Sequence, residues 1–140
     1  MEDEELSVVI GILRAANLFI DDLKKNIKNY NINTTEFSLL EFLYHKGEKN
    51  IQQIRERILL ASGSATYVVD NLEKKGYVTR KPCEEDKRIY YVNLTEQGKN
   101  LMAEIFPKHK KNTKKLFSDF DEEEIIQFKR LLKKLKLAES

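Results

Sequence analysis

The sequence has one cysteine, two prolines, five glycines and no long uncharged apolar run in its 140 residues. A lone thiol cannot close an internal disulfide, and by itself it cannot build a zinc site. Without an apolar stretch of about 20 residues there is no candidate membrane span. So little proline and glycine, with no internal repeat, leaves continuous structure with short punctuation. Net charge is only +2, so any argument for a nucleic-acid partner has to come from where the charges lie. The start, Met1-Glu2-Asp3-Glu4-Glu5, is acidic where a secretory signal is basic, which predicts a cytoplasmic protein. A phosphate-binding glycine loop, a G-x-S-x-G elbow and a Cys/His pair are all missing. The chain therefore reads as a non-enzyme with no cofactor.

What is present is a chain 41% hydrophobic and 34% charged, a composition suited to one compact, mostly helical domain. From Leu6 to about Asn29, Val9, Ile12, Leu13, Ala16, Ile20, Leu23 and Ile27 recur at steps of three and four. The resulting helix is more than about 30 Å long, longer than so small a core needs, and a stripe of that length is commonly shared with another subunit. Asn33 lies three residues before Glu36 and opens a second helix carrying Phe37, Leu40, Leu43 and Tyr44, with Gly47 at its end. Asn50 caps a short third helix with Ile51, Ile54 and Ile58 inward. After a break at Leu60-Ala61-Ser62-Gly63, a fourth helix runs from about Ser62 to Lys75, with Ala65, Val68, Val69 and Leu72 on one face and Gly76 behind it.

Beyond Gly76 the period becomes alternating. Tyr77–Lys81 and Ile89–Leu94 read as two strands around the polar tip Pro82-Cys83-Glu84-Glu85-Asp86-Lys87-Arg88. Pro82 fits only where ladder bonding is already being abandoned. Thr95 caps a helix carrying Leu101, Met102, Ile105 and Phe106, kinked or irregular at Pro107. A last helix opens at Asp121, with Glu124 three residues on, and is expected to bury Ile125, Phe128, Leu132 and Leu135.

Two short helices, a tight turn and a charged hairpin make a winged helix-turn-helix. A helix fits the major groove of double-stranded DNA, and a projecting hairpin reaches the neighbouring backbone or minor groove. Candidate contacts on the fourth helix are Ser62, Ser64, Thr66, Tyr67 and Asn71, with Asp70 on the same polar face. In the hairpin, Asp86 and Arg88 flank Lys87, and an acid two residues from an arginine can preset the guanidinium for a narrow minor groove. Lys74, Lys75, Arg80 and Lys81 are the expected phosphate contacts.

The run Leu72-Glu73-Lys74-Lys75-Gly76-Tyr77-Val78-Thr79-Arg80, then Asp86-Lys87-Arg88, then Leu94-Thr95-Glu96-Gln97-Gly98-Lys99 resembles the MarR family (multiple antibiotic resistance regulators). The entry Leu60-Ala61-Ser62-Gly63-Ser64-Ala65-Thr66 is similar to one branch of it. The resemblance implies a mainly α fold: a winged helix-turn-helix with a two-stranded β wing and long terminal helices forming a dimerisation domain. Residues 1–32 and 95–140 would form the helical dimerisation region and 33–94 the DNA-binding lobe. It further implies a homodimer on a pseudo-palindromic operator, with Arg88 in the minor groove and Asp86 orienting it. Repression released by a small hydrophobic or phenolic effector, bound between dimer helices and DNA-binding lobe, belongs to the same expectation. Two positions depart from the family pattern: Ala61, where a capping Ser or Thr is common, leaving Ser62 to cap, and Tyr67, where many relatives carry arginine.

Other readings attach to single residues. Cys83, in the wing beside Glu84 and Glu85, would make a redox-responsive regulator if its thiol were reactive, although acidic neighbours disfavour the thiolate. His45 and His109 are far apart in sequence and lack a carboxylate cluster, so no metal site is expected. The lysines from Lys108 to Lys115 read as the solvated face of a helix whose Leu116 and Phe117 pack inward. A winged helix serving only protein contacts is the remaining alternative, and the basic residues around the wing count against it.

Overall fold

The computed structural model describes residues 3–58 and 64–135. Six helices and three short strands follow in the order α1 (Glu4–Ile27), α2 (Thr34–Lys46), β1 (Lys49–Asn50), α3 (Ile51–Arg57), α4 (Ala65–Lys74), β2 (Val78–Pro82), β3 (Tyr90–Leu94), α5 (Glu96–Leu116) and α6 (Glu122–Lys133). This is the mainly α winged helix-turn-helix expected, with a small antiparallel sheet. Among the described residues no helix is long and apolar enough to cross a membrane.

Helix starts follow their caps. Asn33, Asn50 and Asp121 each accept a backbone N–H bond from three residues on, and Glu36, Gln53 and Glu124 return the bond to the cap's own N–H. Each such cap contributes about 1 kcal/mol. For α4 the cap is Ser64, whose Oγ accepts from the Tyr67 amide at 3.1 Å. The helix expected from about Ser62 is thus described from Ala65; Ser62 itself, with Leu60, Ala61 and Gly63, lies outside the described residues. At the other end of α4, Gly76 takes φ +84°. The Tyr77 amide then donates to Leu72 O and the Gly76 amide to Glu73 O, both at 3.0 Å. This pair of bonds closes the helix and turns the chain straight into the wing.

In the wing, Val78 faces Leu94 and Pro82 faces Tyr90 across β2 and β3. Pro82 is the last residue of its strand, where a missing N–H costs least. On the far side of β3, β1 adds Lys49 opposite Val92 and Asn50 opposite Tyr91, giving the order β1-β3-β2. The two-stranded wing therefore has a third strand at its base.

The sheet is fastened to α5 at Thr95. Its amide donates to Tyr77 O at 3.0 Å, its Oγ1 donates to Gly76 O at 2.6 Å, and that oxygen accepts from the Gly98 amide at 3.0 Å. A β-carbon built on Gly98 would land on the Tyr77 carbonyl oxygen. The Leu94-Thr95-x-x-Gly98 motif is thus a lock between wing and helix, and glycine is what lets the two backbones meet. The α5 helix runs through Pro107 without interruption. The carbonyl four residues back, at exposed Ala103, loses its donor to solvent rather than to the core.

Phe37, Leu40, Ile54, Leu72, Val92 and Met102 are almost completely buried and centre the core on α2, α3, α4, the sheet and the first half of α5. The terminal helices differ. On α1 only Ile27 is buried, and on α6 nothing is. The expected burial of Ile125, Phe128, Leu132 and Leu135 within the chain does not occur: Ile125, Phe128 and Leu135 are exposed and Leu132 half-buried. Phe128, Leu132 and Leu135 instead line an open groove of about 780 Å³ against Val8, Ile12 and Phe19 of α1. Periodicity identified the apolar face of α6; among the described residues that face stays largely open.

Candidate nucleic-acid interface

Helix α4 presents Ala65, Val68, Val69 and Leu72 to the core, which leaves Thr66, Tyr67, Asn71 and Lys74 on its outer side. Tyr67 is 62% exposed, the most prominent apolar group of this helix. Ser64 is exposed at the N-terminus, its hydroxyl already accepting one cap bond. A helix N-terminus with hydroxyl and amide groups is suited to a phosphate.

The wing tip is organised around Asp86. Its Oδ1 accepts from the Arg88 amide at 3.0 Å and from Arg88 Nε at 3.1 Å, and Oδ2 accepts from Nη2 at 3.2 Å. The side-chain bonds and then the backbone bond from Arg88 hold the Asp86 carboxyl below its ordinary range, so the carboxylate persists further into acid than an unpaired one. The loop is closed by Ile89 N–H to Asp86 O and Cys83 N–H to Ile89 O, both 3.0 Å. The Arg88 side chain remains 90% exposed. A guanidinium held on two sides by its neighbour yet open to solvent loses little conformational freedom on entering a groove. Lys81 and Lys87 are exposed nearby.

Two expected phosphate contacts are directed elsewhere. Lys75 turns inward: its Nζ donates to both carboxylate oxygens of Glu36, at 3.0 and 2.9 Å, and to Asn31 O at 2.8 Å. Glu36, 2% exposed, is the buried charged residue of the core. Arg80 pairs with Asp70 and lies beside Glu73 on α4. In both cases a basic residue expected at phosphate has an acidic partner brought to it by the fold. The capping spacing revealed Glu36 but not its second role. For Asp70 and Glu73, the available signal was two acids on a helix otherwise suited to a polyanion.

Lys75→Met is expected to destabilise the protein by about 3 kcal/mol, because it strands a buried carboxylate. Adding Glu36→Gln, which keeps an acceptor for the Asn33 amide without the charge, should recover much of that loss. Urea unfolding of both variants at one protein concentration checks this.

A second cleft, of about 560 Å³, lies where α1, α2 and α5 meet. Phe19, Phe37 and Phe117 form its apolar walls, and Asp22, Glu41 and His109 its polar ones. His109 stands edge-on to Phe37, and its Nδ1 is 3.1 Å from Asn26 Nδ2. His45 instead packs against Phe106, and no group of three or more His, Cys, Asp or Glu suited to a metal occurs among the described residues. Cys83 is a free, half-exposed thiol. The lysines Lys108, Lys110, Lys111, Lys114 and Lys115 are exposed, while Leu116 and Phe117 are half-buried.

The profile of the MarR family matches residues 32–90, from just before α2 to the start of β3. The HTH-type transcriptional regulator MhqR of Bacillus subtilis (strain 168) is 41% identical over 137 residues, covering 98% of this chain and 94% of that protein. The chain belongs to the MarR family. Two solved structures share its fold. NadR in complex with 4-hydroxyphenylacetate gives a TM-score of 0.83 at 23% identity, covering 99% of each chain. Sco3205, a MarR family transcriptional regulator from Streptomyces coelicolor in complex with DNA, gives 0.81 at 20% identity, covering 97% of this chain and 88% of that one. As a MarR-family protein this chain is a DNA-binding transcriptional regulator and not an enzyme.

Proposed function

We propose that this MarR-family protein is a cytoplasmic homodimer that represses genes by occupying a pseudo-palindromic operator. The carrying observation is the wing, where Asp86 holds Arg88 in a fixed pose with 90% of its side chain open. Ser64, Thr66, Tyr67, Asn71 and Lys74 on α4 face the major groove, with Ser62 just ahead of them in sequence. Arg88 enters the flanking minor groove, with Lys81 and Lys87 on phosphates. The second protomer is brought by the α1–α6 groove, so that residues 1–32 and 95–140 form the dimerisation region and 33–94 the reading lobe. A small hydrophobic or phenolic effector fits the aromatic-walled cleft between α1, α2 and α5. NadR, which shares the fold, is solved in complex with 4-hydroxyphenylacetate. Effector binding would weaken DNA binding only to the extent that the cleft prefers one spacing of the two reading helices.

The test is a fluorescence-anisotropy titration of DNA from upstream of the protein's own gene against a scrambled duplex, across several salt concentrations. Tight, salt-steep preference for one fragment is the expected result. Arg88→Ala should weaken that binding by about 1–3 kcal/mol and lower the salt slope by about one, with the dimer intact. A variant binding like the wild type would remove Arg88 from the interface.

A further inference from the structure

Arg80 is placed unlike Arg88. It lies on β2, and its side chain is 26% exposed against 90% for Arg88. One terminal nitrogen pairs with Asp70 Oδ1, and Nε, buried and without a hydrogen-bond partner, lies 3.5 Å from Glu73 Oε1, an ion-pair distance. The guanidinium carbon sits 4.9 Å from the centre of the Tyr90 ring on β3. Asp70 and Glu73 are three residues apart and so share one face of α4. A single planar cation therefore touches the reading helix and both strands of the wing.

We propose that Arg80 is a positioning residue that sets the angle between the reading helix and the wing, rather than a contact to DNA phosphate. This rests on the winged-helix reading above. Two carboxylates surround one guanidinium, so the cluster is net negative and repels a phosphate. Arg88, the proposed groove contact, has one carboxylate partner and a side chain 90% exposed, whereas Arg80 lies between two carboxylates and is 26% exposed. The geometry also uses what arginine has and lysine lacks: a charge spread over several nitrogens, one on Asp70 and another near Glu73, and a flat face for the Tyr90 ring. The angle matters because the helix and the wing must reach two different grooves together, and either can be reached alone without it.

The test compares wild type, Arg80→Met, Arg80→Lys and the double variant Asp70→Asn/Glu73→Gln. Each is titrated over a salt series against a duplex that the wild-type protein selects from a random pool, and against its scrambled version. If Arg80 positions, all three variants bind the selected duplex about tenfold more weakly, while scrambled-duplex binding and the salt slope stay close to wild type. The double variant loses affinity although it sheds two negative charges. If Arg80 contacts phosphate, Arg80→Met lowers the salt slope by about 0.9 and weakens both duplexes equally. In that case Arg80→Lys behaves as wild type, the double variant binds both duplexes more tightly, and the proposal is overturned. Should the wild type select nothing from the pool, the operator reading fails, and hydrogen exchange of the free protein decides on Arg80 separately. Exchange of β2 and β3 amides about tenfold faster in Arg80→Lys and in the double variant upholds the strut, and unchanged exchange overturns it.

Discussion

Leu132→Glu is expected to leave a monomer that has lost at least about a hundredfold of its operator affinity. Leu132 lines the groove between α1 and α6, where Val8, Ile12, Phe19, Phe128 and Leu135 supply most of the remaining wall. The apolar surface of α1 is not limited to that wall. Leu6, Ile10 and Leu13, outside the groove lining, are 62%, 58% and 61% exposed. Exposed apolar side chains thus lie both in the groove and on the opposite side of α1, an exposure that suits the partner chain proposed above. A carboxylate in its centre would have to be desolvated without a partner, at a cost of several kcal/mol. On the proposed function, DNA binding falls with the dimer, since each lobe would read half an operator and the second half-site would be gained as an intramolecular step. Sedimentation and anisotropy on the same sample check both losses, with far-UV circular dichroism showing that the helices remain. A variant that stays dimeric and binds normally would mean the groove is not the interface.

Gly98→Ala is expected to destabilise the protein by about 2–3 kcal/mol. In an open helix site the same change would stabilise by up to about 1 kcal/mol, since alanine is the better helix former. At Gly98 the new methyl meets the backbone carbonyl of Tyr77 and the Leu94 side chain. The carbonyl cannot retreat without loosening its bond from the Thr95 amide. The start of α5 and the base of the wing would separate together, so the loss should appear both in urea unfolding and as faster hydrogen exchange in β2. Unchanged or raised stability would show that the close approach relaxes freely.

These two positions also mark where the sequence was legible. Gly98 belongs to a local motif, and the bonds that explain it run to the same few residues that announce it. The same is true of Asp86 and Arg88, two residues apart, and of the capping pairs Asn33/Glu36, Asn50/Gln53 and Asp121/Glu124. Apolar periodicity placed every described helix to within a few residues. It could not say that the face of α6 stays largely open among the described residues, because periodicity reports a face and not what meets it. The two-residue β1 was invisible for lack of any period at all. The acidic partners of Lys75 and Arg80 were not legible for another reason: they lie 39 residues away at Glu36, and ten and seven away at Asp70 and Glu73. A charge counts as free in sequence until the fold brings its counterion.

The position of β2 at the margin of the sheet has a consequence for the molecule away from DNA. A hairpin built to project offers a bare row of backbone donors and acceptors along its outer strand, which is a template for pairing with any extended chain. Here that row is five residues long, ends in Pro82, which has no N–H to give, and carries Arg80 and Lys81. The terminal proline and the two cationic residues make it a poor partner for another strand. The wing can therefore stand uncovered between encounters with DNA without seeding edge-to-edge aggregation.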